Sequence, residues 1–400
     1  MQLINQSPPV KVQLSKNLVK VIKRGHAWVY ADALRDIPDV LPGTPAILLD
    51  NRGGREIARG YLDPAGPIAL RVCSTQTNHP LTSPWAEHTM QQALALRVSL
   101  FSPYDRTNAF RLFNGEGDGL PGLVCDIYAD AAVIVTDGPA PEHFWQVDQI
   151  ALWLAKHLSV TRVYHKSRGS QSHQTVQIHG DDTDPTTYFI ENGITFTANP
   201  LGGQKTGFFL DQRDNRLAIQ PLSRGKRVLN VFGYTGGFSV YAGIGGAEQV
   251  ATVDIAEPAL QEADLHWKYN RLPPEKHISI CADAFQYLSE IALKKEVWDL
   301  VILDPPSFAP SESSLAQAIK AYTRLITLGV QVTAPGGILA AASCSSHLRG
   351  DQFNQIVEES IAAGRRKGII LGIFGQPPDH PSPLAMPELR YLKFNLVQLD

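Results

Sequence analysis

Two residues at predicted strand ends have side chains suited to covalent chemistry. Cys344 follows the apolar strand predicted over residues 337–342 and lies in the polar run Ser-Cys-Ser-Ser-His. Asp304 follows the strand predicted over residues 298–303 and precedes two prolines. The prolines would make the backbone rigid and so fix the carboxylate beside the planar ring of a ligand. Ligands of open α/β sheets bind beyond the carboxyl ends of strands, so both side chains are expected at one edge, where a thiolate can attack a pyrimidine ring. The other cysteines are interpreted as inert core residues: Cys73, Cys125 and Cys281.

A glycine-rich turn and a later carboxylate predict a nucleoside-containing cofactor. Residues 230–238 read Asn-Val-Phe-Gly-Tyr-Thr-Gly-Gly-Phe at a predicted strand-to-helix turn, where backbone N–H groups can approach a ligand closely. Asp254 lies 21 residues after Gly233, a spacing suited to accepting hydrogen bonds from ribose hydroxyls. The pattern G-x-x-G-G departs from G-x-G-x-x-G, which disfavours a nicotinamide or flavin. Asp283 could reach an adenine amino group, or it could cap a helix that starts at Ala284.

The elements that must position these residues alternate between strand and helix from residue 226 onward. This alternation predicts an α/β fold with a doubly wound, mostly parallel sheet. A small β-rich module is predicted over residues 11–75, and a mixed α+β section with a helix over 142–157 follows it. The predicted domains are residues 1–77, 78–198 and 199–400. In the third domain the predicted strands are 227–232, 249–254, 278–282, 298–303, 337–342, 369–374 and 391–398, and the predicted helices are 238–244, 258–270, 314–333 and 351–363.

Composition excludes several classes of protein. The 400 residues are 44% hydrophobic and 19% charged, which excludes a disordered or collagen-like chain. Four widely spaced cysteines disfavour a disulfide framework and a metal site, and a reducing, cytoplasmic location is expected. Two long uncharged stretches, 228–247 and 325–348, contain glycines or a proline and are interpreted as α/β core, so no membrane partner is predicted.

The charge distribution favours nucleic acid at the amino-terminal end. The net charge is −3, yet residues 1–75 hold ten basic and six acidic side chains. Residues 11–24 contain five cations and no acid, with aromatic residues close behind, a mixture that suits phosphate contacts and base stacking. The alternative is the solvated face of a small β domain. The candidate RNA-binding residues are Lys11, Lys16, Lys20, Lys23, Arg24 and Trp28.

Several segments taken together resemble a known family. They are residues 232–238 (Phe-Gly-Tyr-Thr-Gly-Gly-Phe), 304–308 (Asp-Pro-Pro-Ser-Phe) and 343–345 (Ser-Cys-Ser), with support from 24–29, 115–124 and 205–213. Over nearly the whole chain they resemble the class I SAM-dependent RNA methyltransferases, specifically the RlmI-type enzymes that methylate carbon 5 of cytosine in 23S ribosomal RNA. The resemblance implies an RNA-binding PUA domain, a small α+β domain and a Rossmann-like methyltransferase domain with an antiparallel last strand.

The resemblance also implies roles for individual residues. The 211–212 region would reach over the methionine end of S-adenosyl-L-methionine (SAM), the turn at Phe232 would pass beneath it, Asp254 would hold the ribose and Asp283 would lie near the adenine. Many SAM enzymes carry an acid where Asn230 stands, and we interpret the amide as a family trait. The implied cofactor-binding residues are Asp211, Gln212, Asn230, Phe232, Gly233, Thr235, Asp254, Asp283, Ala284 and Asp304.

The implied reaction uses Cys344 and Asp304 as catalytic residues. The thiolate would add to carbon 6 of cytosine, and the carboxyl group would hydrogen-bond the ring at N3. Large-subunit ribosomal RNA is the implied partner, and a homodimer is expected by resemblance. Two alternatives stay open: a SAM enzyme that methylates a base nitrogen of ribosomal RNA, and a non-catalytic RNA-binding or ribosome-assembly protein. A dehydrogenase is a more distant alternative.

Overall fold

The computed structural model describes residues 1–168, 175–181, 184–203, 205–309 and 311–400. These residues form two compact units. The first unit comprises Met1–Gly193, Thr197–Leu210 and Pro378–Pro387, and the second comprises Ile194–Phe196, Asp211–Pro377 and Glu388–Asp400. No helix in the described part of the chain has the length and apolar character needed to cross a membrane. The domain boundaries proposed at residues 77 and 198 stay predictions.

A five-stranded sheet opens the first unit. Its elements are β1 (Val10–Gln13), α1 (Val19–Lys23), β2 (Trp28–Val29), β3 (Pro45–Leu49), β4 (Glu56–Leu62) and β5 (Leu70–Ser74). The strand order is β1-β3-β4-β5-β2, with β1 and β3 parallel and the other pairs antiparallel. Buried aliphatic side chains such as Val12, Leu48 and Leu70 form its core. The β-rich module predicted over residues 11–75 is confirmed.

A second five-stranded sheet follows in the same unit. The elements are α2 (Ser83–Phe101), β6 (Ala109–Asn114), β7 (Leu123–Tyr128), β8 (Ala131–Asp137), α3 (Pro139–Phe144), α4 (Val147–His157), β9 (Arg162–Arg168) and β10 (Thr175–His179). The order is β10-β9-β8-β7-β6, with β8 and β9 parallel. Strands β11 (Thr187–Glu191) and β12 (Ile194–Ala198) come next in the chain.

The single helix predicted over residues 142–157 is wrong, because the chain leaves the helical conformation at Trp145. This residue has ψ 124° at the end of α3 and forms an antiparallel bridge with Ile4. Its buried indole Nε1 donates a hydrogen bond to the carbonyl of Pro121 at 2.9 Å. These tertiary contacts outweigh the helical periodicity of the local sequence.

A seven-stranded sheet forms the second unit and confirms the predicted doubly wound fold. Its order is β15-β14-β13-β16-β17-β19-β18, in which β13 to β17 are parallel. The last strand, β19, is antiparallel to both of its neighbours, as expected. The elements are α5 (Arg213–Ile219), β13 (Arg227–Val231), α6 (Gly237–Ile244), β14 (Gln249–Asp254), α7 (Glu257–Tyr269), β15 (His277–Cys281), α8 (Ala284–Leu293), β16 (Trp298–Leu303), α9 (Leu315–Gln331), β17 (Thr333–Ser343), α10 (Gly350–Ala363), β18 (Gly368–Phe374) and β19 (Lys393–Leu399).

The central strands of this sheet are buried on both faces. In β16 five of the six residues are buried, which explains its nearly continuous apolar sequence. Helix α9 packs on one face with an apolar stripe that includes Tyr322 and Leu325. The parallel strands therefore end at one edge, where their following loops converge.

Candidate active site

The turn after β13 requires an unusual backbone. Phe232, Tyr234 and Gly236 have φ values of 60°, 47° and 74°. A Cβ atom on Gly233 would lie 2.4 Å from Cγ2 of Thr252, so a side chain there would force the two strands apart. The glycine spacing therefore allows a tight loop whose backbone N–H groups lie at the start of α6.

Asp254 ends β14 beside this turn. Its Oδ2 accepts a hydrogen bond from the Tyr234 backbone N–H at 2.8 Å, and its Oδ1 accepts one from Ala256 at 2.9 Å. These bonds fix the orientation of a half-buried carboxylate. A carboxylate has about four lone-pair sites, so two acceptor positions are left for the hydroxyls of a ribose.

Asn230 lies at the end of a buried chain of polar groups. Its Nδ2 donates to Ser239 Oγ at 2.9 Å, Ser239 Oγ lies 2.6 Å from Thr252 Oγ1, and Thr252 Oγ1 lies 2.7 Å from His277 Nε2. Burial lowers the pKa of His277, and Asp264 opposes that shift. Within the described residues Asn230 Oδ1, itself fully buried, has no hydrogen-bond partner, which leaves an acceptor for a bound ligand.

Asp283 caps helix α8, in agreement with the helix-cap alternative. Its Oδ1 accepts a hydrogen bond from the Gln286 backbone N–H at 2.9 Å, and Ala284 is the first residue of the helix. The Asp283 side chain is exposed, so the cap leaves its second oxygen open to solvent. Capping and a contact to adenine are compatible roles, and the second stays a prediction.

Gln212 and Asp304 contact each other at the carboxyl end of β16. Gln212 Nε2 donates to Asp304 Oδ1 at 2.9 Å, and Gln212 Oε1 accepts from Asn215 at 2.6 Å. Asp211 accepts a hydrogen bond from the hydroxyl group of Tyr391 at 2.7 Å. The structure therefore brings the predicted 211–212 region to the predicted acidic loop.

Cys344 follows β17, the neighbour of β16, and lies against the loop that Asp304 begins. Its Sγ is 3.9 Å from the carbonyl oxygen of Pro305. Hydroxyl groups join the two loops: the buried Ser345 Oγ lies 3.0 Å from Ser307 Oγ and 2.9 Å from Tyr322 Oη. The two predicted catalytic residues are thus on adjacent, cross-linked loops.

Two residues of this site escaped the sequence analysis. Tyr322 reaches the loop from the middle of α9, and burial raises its pKa. Lys393 begins β19 and donates to the carbonyl of Ser345 at 2.6 Å. Neither stands next to a motif, and the available signals were a tyrosine in an apolar stripe and a lysine at the start of an apolar strand.

The candidate RNA-binding residues lie in the first unit. The side chains of Lys11, Lys20, Lys23 and Arg24 are exposed, and exposed Lys16 pairs with Asp32 at 2.5 Å. Trp28 is half-buried, and its Nε1 donates to Glu116 Oε1 at 2.7 Å. Arg71 donates to the same oxygen at 2.8 Å, so the indole is fixed by a buried ion pair.

The other cysteines occupy three different environments. Cys125 is fully buried and Cys73 is half-buried, and burial raises the pKa of both thiols. Cys281 is exposed at the end of edge strand β15, so its interpretation as a core residue is wrong. Because an edge strand lacks a neighbour on one side, its apolar pattern does not guarantee burial.

Comparisons with known proteins agree with this architecture. A family model described as S-adenosylmethionine-dependent methyltransferase matches residues 142–382, and a PUA-like domain model matches residues 12–75. A relative from Deinococcus radiodurans, named ribosomal RNA large subunit methyltransferase, is 36% identical over 406 residues and covers 99% of each chain. Ribosomal RNA large subunit methyltransferase I from Photobacterium profundum is 35% identical over 390 residues, covering 96% of this chain and 97% of the relative.

Solved structures give the same result. A structure from Streptococcus mutans assigned to the SAM-dependent methyltransferases has a TM-score of 0.84 and 25% identity, covering 97% of this chain and 100% of its own. A second structure, of a protein assigned as a methyltransferase and complexed with SAH, has a TM-score of 0.83 and 25% identity. The match covers 98% of this chain and 100% of the other chain. The order of the strands in the seven-stranded sheet and the glycine-rich turn after β13 are those of a class I methyltransferase, whose cofactor is SAM. The chain belongs to the S-adenosylmethionine-dependent methyltransferase family with a PUA-like domain, which confirms the resemblance, the fold class and the cofactor.

Proposed function

We propose that the protein methylates carbon 5 of a cytosine in large-subunit ribosomal RNA through a covalent adduct with Cys344. The observation that supports this most strongly is the pairing of a thiol and a carboxylate on cross-linked loops after β16 and β17. Methylation of a base nitrogen needs no thiol nucleophile. A site built around Cys344 therefore favours carbon 5, whose weak nucleophilicity must be raised before methyl transfer.

Cys344 and Asp304 have separate roles in the proposed reaction. Sγ of Cys344 forms a bond to carbon 6 of the base, and the displaced electron pair makes carbon 5 nucleophilic. Asp304, held by Gln212, hydrogen-bonds N3 and favours its protonation as the adduct forms. SAM supplies the methyl group from its sulfonium. A base then removes the proton from carbon 5, and the electron pair that remains expels the thiolate.

Asp254, Asn230 and the turn at Gly233 hold the cofactor in this proposal. The fixed carboxylate of Asp254 accepts from the ribose hydroxyls, and the buried Oδ1 of Asn230 supplies a further acceptor. The tight turn brings backbone N–H groups close to the ligand. Asp211, Gln212, Phe232, Thr235, Asp283, Ala284 and Asp304 complete the proposed cofactor-binding residues.

The proposed substrate follows from the relatives and from the first unit. The relatives are named as ribosomal RNA large subunit methyltransferases, and the exposed cations of the PUA-like domain suit a phosphate backbone. A paired target base would have to leave the helical stack to reach the thiol. Action on ribosomal RNA would place the protein in the cytoplasm.

The test is to identify the methylated nucleoside. The protein would be incubated with methyl-labelled SAM and protein-free large-subunit ribosomal RNA, and the digested RNA analysed by mass spectrometry. We expect labelled 5-methylcytidine from the wild type and none from Cys344→Ala, while Cys281→Ala, a matched change at an exposed thiol, retains the product. A labelled purine, or product from Cys344→Ala, would contradict the proposal.

We also infer a homodimer that forms through strand β18. This strand lies at the edge of the seven-stranded sheet, and Ile369, Ile370 and Ile373 are 67%, 60% and 54% exposed. Such an edge lacks the charges that usually prevent pairing, and two copies can pair antiparallel about a two-fold axis. Light scattering should give the mass of two chains for the wild type and of one chain for Ile369→Lys/Ile370→Lys. A monomeric wild type would refute the inference.

A further inference from the structure

Lys393 is buried beside the loop that contains Cys344. Its side chain is 6% exposed, and its Nζ donates to the carbonyl oxygens of Ser345 at 2.6 Å and Tyr391 at 2.7 Å. In the antiparallel register Lys393 lies opposite Ser343, the residue that precedes Cys344. Lys393, on β19, is therefore hydrogen-bonded to the loop that carries Cys344 after the neighbouring strand β17.

The lysine has no carboxylate partner in the part of the chain that the structure describes, where every ion pair found involves other residues. A buried ammonium group is ordinarily paired with an anion because the charge is costly to desolvate. Burial lowers the pKa of Lys393 to about 8, and electrostatic interaction with Cys344 opposes this shift. Because Nζ donates to the carbonyl of Ser345, the residue that follows Cys344, a negative charge on that thiol would compensate the ammonium.

We propose that Lys393 is a positioning residue whose ammonium group is the counter-charge that keeps Cys344 in the thiolate form. In this arrangement the thiol proton passes to water and the positive charge stays on Nζ, so the thiolate–ammonium pair is electrically neutral. The inference deepens the proposed function and rests on it, because only a nucleophilic Cys344 needs the thiolate.

Other titratable groups surround the cysteine. Tyr322 of α9 hydrogen-bonds the serines on either side of the cysteine. Asp304 begins the loop after β16, Tyr391 precedes β19, and His347 follows in the cysteine's own loop. Tyr322 is neutral near pH 7, because tyrosine ordinarily ionises near pH 10 and burial raises its pKa further. Asp304 accepts from Gln212, and His347 is exposed. Among these titratable groups around Cys344, Lys393 is the one that is a buried cation.

The test follows the reactivity of the thiol without requiring methyl transfer. Full-length protein would be alkylated with iodoacetamide across a pH series, and modification of the Cys344 peptide quantified by mass spectrometry. Lys393→Gln removes the charge but retains N–H donors for the two carbonyls, Lys393→Met removes both, and Lys393→Arg keeps a cation. The exposed Lys320→Met on α9 is the matched control. Circular dichroism and SAM binding verify the fold of each variant.

We expect the pH midpoint of Cys344 alkylation to rise by about one unit in the Gln and Met variants, which slows alkylation about tenfold near pH 7. The Arg variant and the Lys320 control should keep the wild-type midpoint. An unchanged midpoint in a folded Lys393→Gln protein would overturn the inference. Failure of the proposed function gives a different result, since the labelled nucleoside would then be a purine or would still form with Cys344→Ala, whatever the alkylation profile.

Discussion

Replacement of Ser345 by alanine should separate the two loops that carry the proposed catalytic residues. The Ser345 hydroxyl is fully buried and lies 3.0 Å from Ser307 Oγ and 2.9 Å from Tyr322 Oη, and the backbone N–H of Ala309 donates to it at 3.3 Å. Alanine removes all three contacts and adds no bulk. The fold should survive while the loop after β16 loses its attachment to the loop after β17.

The contacts give the size of the effect. A net intramolecular hydrogen bond contributes about 0.5–1.5 kcal/mol, and a buried group left without its partner costs more. Tyr322 keeps its hydrogen bond from Ser343 at 3.0 Å, which limits the loss. We therefore expect the free energy of unfolding to fall by about 2–3 kcal/mol. A displacement of the thiol by about 1 Å should lower methyl transfer by about ten- to a hundredfold.

Urea unfolding and a SAM-dependent methylation assay would measure these two quantities. Ser346→Ala is the matched control, because that serine is the next residue and is exposed. The control should keep the wild-type stability and activity. If Ser345→Ala were as stable and as active as Ser346→Ala, the proposed coupling between the loops would be wrong.

Three other changes test the cofactor site and its support. Asp254→Asn removes a charged acceptor, so SAM binding measured by calorimetry should weaken by about ten- to a hundredfold; unchanged affinity would remove Asp254 from the site. Gly233→Ala places a Cβ 2.4 Å from Thr252 Cγ2 and should abolish SAM binding, whereas Gly350→Ala, with no atom within 4 Å, should retain it; equal affinities would contradict the tight turn. Burial lowers the pKa of His277 below 6.5, so its contribution to stability is present above that pH and is lost as the pH falls through the folded-state pKa. Between about pH 7.5 and 5.5, the free energy of unfolding measured with urea should therefore fall less for His277→Gln than for the wild type. An equal fall in both proteins would refute this account.

The sequence predicted the elements whose patterns are local. Apolar runs such as β16 are buried on both faces, so their periodicity and length were sufficient to place the sheet. The position of Asp254 at a strand end followed from the same pattern. The helix over residues 142–157 failed because the contacts of Trp145 with distant residues are invisible in the local sequence.

The same limit applies to the candidate site. Cys344 and Asp304 were found because each follows a strand in a polar loop. Tyr322 lies on a helix and Lys393 starts the last strand, and only the folded sheet brings them to the cysteine loop. Asp283 illustrates a further difficulty, because one carboxylate can cap a helix and also face a ligand.

The most direct test of the central claim is to trap the adduct between Cys344 and the RNA base. Large-subunit ribosomal RNA transcribed with 5-fluorocytidine would be incubated with the protein and SAM, since fluorine at carbon 5 cannot leave as a proton does and the adduct would persist. We predict a protein–RNA species that survives denaturation, with mass spectrometry placing the nucleotide on the Cys344 peptide and Cys344→Ala giving none. Methylation of unmodified RNA at a base other than cytosine, with no trapped species from the wild type, would contradict the account.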